Sequence, residues 1–192
     1  MLYLIAIIGL IFILQLSIPD FTEYFILNPS LVLDLNHPEQ IYRIFTAIFL
    51  HANIEHLFFN LLSLFFFAPV LIHTIGRLEF YKIFFIGGIV GSLFYVIIIL
   101  FGLSHPIPAL GASGAIYAIL GAVAFFHPES IIYVYFFPMR MKFAIILWVI
   151  LNLFYIVDWR SGIGGAAHLG GLFFGWFYAK YLQNNIGIRW GY

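Results

Sequence analysis

The 192 residues contain no cysteine, which excludes a disulfide framework, a thiolate nucleophile and a thiolate metal site. Charge is almost as scarce. Only 8% of the residues are Asp, Glu, Lys or Arg, against about 25% in a soluble domain. Eight acids balance eight bases, and no basic run is present, so neither nucleic acid nor recruitment by anionic lipid is expected. Two hydrolytic chemistries lack their residues. The run His51-Ala-Asn-Ile-Glu-His56 does not have the His-Glu-x-x-His spacing of a zinc protease. No pair of aspartates falls inside an apolar run to build an aspartyl site. The expectation is a protein with no metal and no cofactor.

What fills the chain instead is apolar. Hydrophobic residues make up 64% and the mean hydropathy is +1.08, which points to the lipid bilayer as the environment. Apolar runs separated by polar or Pro/Gly segments predict six spans in one domain over 1–192, about 2–18, 53–75, 80–103, 113–127, 139–157 and 164–182. The fold class is thus an all-α membrane protein with a six-transmembrane-helix bundle. Leu2–Ile18 has no positive leader and no small-residue cleavage site, and is expected to be a retained first span. The connection 19–52 is too polar for lipid yet holds Phe25, Ile26, Leu31 and Leu33, as a structured loop lying at the interface would.

Basic residues set the orientation. With the N-terminus in the cytoplasm, Arg77, Lys82, Arg140, Lys142, Lys180 and Arg189 fall inside, and only Arg43 and Arg160 outside. Both termini are then cytoplasmic. The second, fourth and sixth spans all begin at the outer face, so polar residues near their starts lie at similar depth and can meet.

The fourth span opens Gly111-Ala112-Ser113-Gly114-Ala115-Ile116-Tyr117. It is short, about 22 Å of helix against a core of about 30 Å. Ser113 therefore starts below the outer surface, and the segment before it must dip in, buried in protein or lining water. A serine at a submerged helix N-terminus has free backbone N–H groups beside it to stabilise an oxyanion. Gly-x-Ser-Gly is equally a small-residue packing motif when taken alone.

The sixth span resolves that ambiguity. His168, Gly171 and Gly175 fall on one helical stripe, and Ser113, Tyr117 and Gly121 on another. Each stripe carries a chemically capable side chain above glycines that let backbones approach closely. Close approach brings an imidazole to a hydroxyl that needs a base. Tyr117, one turn below Ser113, is placed to stack on the imidazole. On the second span, His56 and Asn60 share a face and supply the donors a developing oxyanion needs. His51 is read as a structural tie. His37, His73, His105 and His127 are read as interfacial, and the Phe-rich stretches as lipid-facing or packing residues.

Together these residues resemble the rhomboid family of intramembrane serine proteases. The resemblance rests on Gly-x-Ser-Gly at 111–114, Ala-His-x-x-Gly-x-x-x-Gly at 167–175, and His-x-x-x-Asn at 56–60. Tyr117 matches the family's tyrosine four residues after the serine. The family's Trp-Arg pair in the first loop stands here as Tyr42-Arg43, a departure that leaves Arg43 a loop-bracing role. The resemblance implies a Ser113–His168 dyad, an oxyanion pocket from the Ser113 N–H, His56 and Asn60, and support from Gly111, Gly114, Gly171 and Gly175. It implies single-pass transmembrane protein substrates cut near the outer interface. Lateral entry would be gated by the fifth helix and a 158–165 cap. Two alternatives stay open. One is a catalytically silent member that binds or escorts membrane clients. The other is a small transporter, which would want ionisable residues at mid-depth.

Overall fold

A computed structural model describes residues 1–134, 136–158 and 164–186. Ser161 and Gly162 of the expected cap, together with Arg160 and Arg189, lie outside the described residues. Helix α1 (Leu2–Ser17) buries Leu4, Ile8 and Phe12 at four-residue spacing, so one stripe faces the protein and the rest faces outward. The long first connection is structured. It contains α2 (Phe21–Phe25), α3 (Pro29–Val32), a 3-10 turn at Pro38–Tyr42, α4 (Arg43–Thr46) and a second 3-10 turn at Ala47–Phe49. Arg43 ties this loop together from a buried position. Its guanidinium donates to the carbonyls of Glu23 (2.7 Å) and Ile26 (2.9 Å) and to Gln40 Oε1 (2.6 Å).

Helix α5 (Ile54–Leu100) is formally continuous over 47 residues, but Gly76 interrupts it with φ +83° and ψ 167°. That is a conformation glycine reaches without a Cβ penalty, and it turns the helix into two arms, 54–75 and 77–100. Among the described residues this is the one helix both long and apolar enough by itself to cross a membrane; α1, α6 (Ser113–Phe126) and α7 (Met141–Val157) are shorter apolar helices. Helix α8 (Gly165–Ile186) completes the set. The residues of α1, α5 and α7 that face away from the protein include Leu10, Ile13, Phe58, Phe65, Ile146 and Ile150, all exposed. This is an apolar outer surface suited to lipid.

Helix α6 is the centre, buried along almost its whole length. In lipid there is little hydrophobic drive between helices, so close van der Waals packing through small residues must hold them. Here α6 and α8 meet backbone to backbone. A Cβ built on Gly171 would overlap the Gly114 carbonyl oxygen, and one on Gly175 would overlap the Ala118 carbonyl oxygen. The second arm of α5 closes on α8 from another side, where a Cβ on Gly91 would sit 2.6 Å from the Ala167 oxygen. Polar ties close the far end of the bundle. Glu79 accepts from Lys82 (2.7 Å) and from Tyr178 of α8 (2.8 Å). His127, read from sequence as merely interfacial, has Nε2 2.7 Å from Thr74 Oγ1 and joins α6 to α5.

One element differs from the sequence reading. Residues Ile131–Val134 (β1) and Phe137–Arg140 (β2) form an antiparallel hairpin, with Ile131 opposite Arg140 and Val134 opposite Phe137. Met139 and Arg140 are therefore strand, and α7 starts at Met141 rather than 139. The run Ile131-Ile132-Tyr133-Val134, β-branched and aromatic, favours extended backbone. Glu129, paired with Arg140 (2.9 Å) and with Lys142, pins the far side of the hairpin. Among the described residues the fold is all-α apart from this hairpin.

Candidate active site

The approach of α6 and α8 sets Ser113 opposite His168. Ser113 is the first residue of α6, and His168 lies in the first turn of α8, one turn from Gly171. The hydroxyl oxygen of Ser113 is 2.8 Å from His168 Nε2. Tyr117 stacks on the imidazole, with ring centroids 4.3 Å apart and planes 9° apart, which holds the ring plane. His168 is buried. Gly111, Ser113, Gly114, Tyr117 and His168 all line one cleft of about 1010 Å³.

The segment before α6 is irregular and must have its backbone satisfied if it lies at lipid depth. Several bonds hold it. Leu27 and Ala109 exchange N–H···O bonds of 3.0 and 2.8 Å, the Gly111 N–H donates to the Ala47 carbonyl (2.9 Å), and the Tyr95 hydroxyl donates to the Ile107 carbonyl (2.5 Å). The first loop thus braces the serine's approach, and Arg43 braces the first loop. Gly111 is constrained twice. Its φ is +128°, and a Cβ there would fall 2.7 Å from His56 Cε1. In α6 the N–H groups of Ser113, Gly114 and Ala115 precede the first intrahelical bond, from Ile116 N to the Ala112 carbonyl. They point into the cleft end of the helix as potential oxyanion donors.

His56 and Asn60 line the same cleft. Asn53 caps α5 by accepting from the His56 N–H (2.8 Å). The His56 ring reaches Gly111: the position a Gly111 Cβ would take is 2.9 Å from His56 Nε2 and 3.6 Å from Ser113 Oγ. Its Nδ1 accepts from the Ala52 N–H at 3.4 Å, which leaves the proton on Nε2. Asn60 is buried and donates through Nδ2 to the His56 carbonyl (2.8 Å). A second amide hydrogen remains for the cleft. His51 packs edge-on against His56, with centroids 5.1 Å apart. Gln15 of α1 clamps the His51 backbone, accepting from its N–H (2.9 Å) and donating to its carbonyl (3.2 Å). Burial pushes the His51 imidazole down to about 4, so it stays neutral near pH 7 and serves as a wedge.

The sequence reading missed Asn152. It lies in the middle of α7, almost wholly buried, with its side-chain oxygen 2.7 Å from His168 Nδ1. The available signal was a lone amide inside the apolar run 141–157, since a polar group at lipid depth seeks a partner on a neighbouring helix. Among the described residues no cluster of three or more His, Cys, Asp or Glu could hold a metal ion.

Comparisons with known proteins identify a family for the chain. A family model described as "Rhomboid domain" matches residues 38–185. RHOMBOID-like protein 12, mitochondrial, of Arabidopsis thaliana is 30% identical over 166 residues, covering 79% of this chain and 49% of that protein. Rhomboid protease GluP of Bacillus subtilis is 33% identical over 147 residues, covering 73% of this chain and 26% of that protein. Inactive RHOMBOID-like protein 8 of Arabidopsis thaliana is 35% identical over 89 residues, covering 46% of this chain and 24% of that protein. The chain spans about half or less of the length of these relatives.

Proposed function

The chain belongs to the rhomboid family of membrane proteins, and we propose that it is an intramembrane serine endopeptidase that cuts transmembrane helices of other membrane proteins near the outer interface. The observation that carries this reading is the 2.8 Å contact between Ser113 Oγ and His168 Nε2, set in a cleft with potential oxyanion donors around it. Ser113 Oγ attacks a peptide carbonyl while His168 Nε2 takes the hydroxyl proton. The oxyanion is held by the Ser113 N–H, His56 and Asn60. The tetrahedral intermediate then expels the amine, which receives the proton from His168, and leaves an acyl group on Ser113. Water, deprotonated by His168, releases the acid and restores the serine.

Six helices cross the bilayer in this reading: α1, the two arms of α5, α6, α7 and α8. Both termini are cytoplasmic, and the cleft opens to the outer face. The cleft continues between the 54–75 arm, through Phe59 and Ser63, and α7, through Leu147 and Leu151. A substrate helix enters sideways through that gap, with α7 moving to admit it. Single-pass membrane proteins whose helices carry Gly or Pro near the cut are the expected substrates, because the backbone must unwind to reach Ser113. One similar protein is named inactive, but this chain keeps both Ser113 and His168 in hydrogen-bonding contact. The test is proteoliposome cleavage of a transmembrane reporter with a Gly/Ala-rich outer segment. Wild type yields two fragments, and Ser113→Ala and His168→Ala yield none while remaining folded. Intact reporter with wild type and a panel of such helices would favour a silent, client-binding member.

A further inference from the structure

We propose that Asn152 is a positioning residue that fixes the tautomer and rotation of His168, so that the site works as a Ser113–His168–Asn152 triad rather than a pair. The role in catalysis rests on reading Ser113 as the nucleophile; the tautomer assignment does not.

Each link in the chain of hydrogen bonds dictates the next. The Asn152 side-chain nitrogen donates to the Trp148 carbonyl at 2.8 Å, one turn back along α7. A carbonyl oxygen can only accept, so the amide nitrogen must face Trp148 and the amide oxygen must face His168. That oxygen is 2.7 Å from His168 Nδ1, and it too can only accept. Nδ1 therefore carries the hydrogen. A neutral imidazole protonated at Nδ1 presents a lone pair at Nε2, and Nε2 is the atom 2.8 Å from Ser113 Oγ. The serine hydroxyl donates into that lone pair, which is the state a general base must occupy before reaction. Free neutral imidazole in water favours the opposite tautomer, with the hydrogen on Nε2, which cannot accept the serine's proton.

Two contacts divide the positioning between them. Tyr117 holds the plane of the ring by stacking, and Asn152 holds its rotation within that plane. The backbone keeps Asn152 in reach. A Cβ on Gly165 would sit 2.5 Å from the Asn152 carbonyl oxygen and 3.0 Å from Tyr155 Cβ, so the first turn of α8 seats directly on this turn of α7, and His168 follows three residues later. An amide also suits the depth. When His168 takes the proton, the amide oxygen accepts a charge-assisted bond from Nδ1–H without keeping a buried carboxylate charged in the resting enzyme, which would be costly there.

The experiment is nitrogen NMR of ¹⁵N-histidine-labelled protein in detergent micelles, with His168→Gln identifying the His168 signals. Wild type at neutral pH shows a protonated Nδ1 and an unprotonated Nε2. In Asn152→Leu, which keeps the branched shape and loses the acceptor, the Nε2–H form appears. Should the leucine variant fail to fold, Asn152→Ala reads the same change. In the cleavage assay Asn152→Leu lowers kcat about 10- to 100-fold and leaves KM within about twofold. An unchanged His168 spectrum in both the Leu and Ala variants, or a wild-type kcat in them, overturns the proposal. A wild-type protein that shows the Nδ1–H form and its loss in Asn152→Leu, yet cleaves nothing, would overturn the protease reading and leave the tautomer assignment standing.

Discussion

A single methyl group at Gly171 should uncouple the site, and the structure gives the size of the effect. The Cβ of alanine at this position would overlap the Gly114 carbonyl oxygen, and would lie 3.0 Å from the Gly114 carbonyl carbon and 3.4 Å from the Ala118 nitrogen. All three atoms are α6 backbone, so none can rotate away. Restoring an ordinary contact distance moves α8 from α6 by about 1 Å at this level. Overpacking of this kind typically costs about 1–3 kcal/mol. His168 lies one turn away from Gly171, and its contact to Ser113 is 2.8 Å. A displacement of about 1 Å takes that contact beyond hydrogen-bonding range, and a misplacement of that size costs on the order of 10²-fold in rate. The assay pairs thermal unfolding in detergent with the rate of reporter cleavage. Gly171→Ala should lower both, and Gly171→Leu should disrupt the fold. Gly9→Ala is the control: a Cβ there meets nothing within 4 Å, and alanine is the better helix former by about 1 kcal/mol. A Gly171→Ala protein that melts and cleaves as wild type would refute the link from packing to chemistry.

Three further outcomes follow from the same geometry. His56→Ala and Asn60→Ala should each lower kcat by about 10²–10³ with little change in KM, measured by steady-state cleavage, because the Ser113 N–H remains as a donor; wild-type rates in both variants would make the pair structural. EDTA and 1,10-phenanthroline should leave cleavage unchanged, and loss of activity that zinc restores would require a metal mechanism. His51 is displaced from 6.5 to about 4 by burial, so the folded state resists a proton that the unfolded state binds. Its share of stability is complete above about pH 6.5 and falls by roughly 3 kcal/mol as the pH drops to about 4. His51→Gln should flatten that part of the stability profile, whereas an unaltered slope would show the imidazole to be freely titrating.

The stripes Ser113-Tyr117-Gly121 and His168-Gly171-Gly175 were legible because helical periodicity alone places their residues on one face each, and glycine at those positions has little use except close approach. The structure sets the two faces together. Asn152 was not legible as a partner of His168, because α7 offers no periodic polar stripe, only one amide among apolar residues. The residue it meets depends on how α8 seats on α7 at Gly165, a tertiary fact. The hairpin at 131–140 was hidden for a different reason. A largely apolar stretch next to a span reads as loop or helix end, and only the β-branched and aromatic run at 131–134 argued for strand. Gly76 lay in the polar break between two predicted spans. Its positive φ lets the two arms of α5 run on without a loop between them.

The measurement that bears most directly on the central claim is fluorophosphonate labelling of detergent-solubilised protein, read by mass spectrometry at the level of the modified residue. Wild type should acquire one phosphonyl group, on Ser113, and His168→Ala should label at least about 100-fold more slowly while remaining folded. Labelling at another residue, no labelling of folded wild type, or labelling of Ser113 at the same rate without His168 would contradict the account.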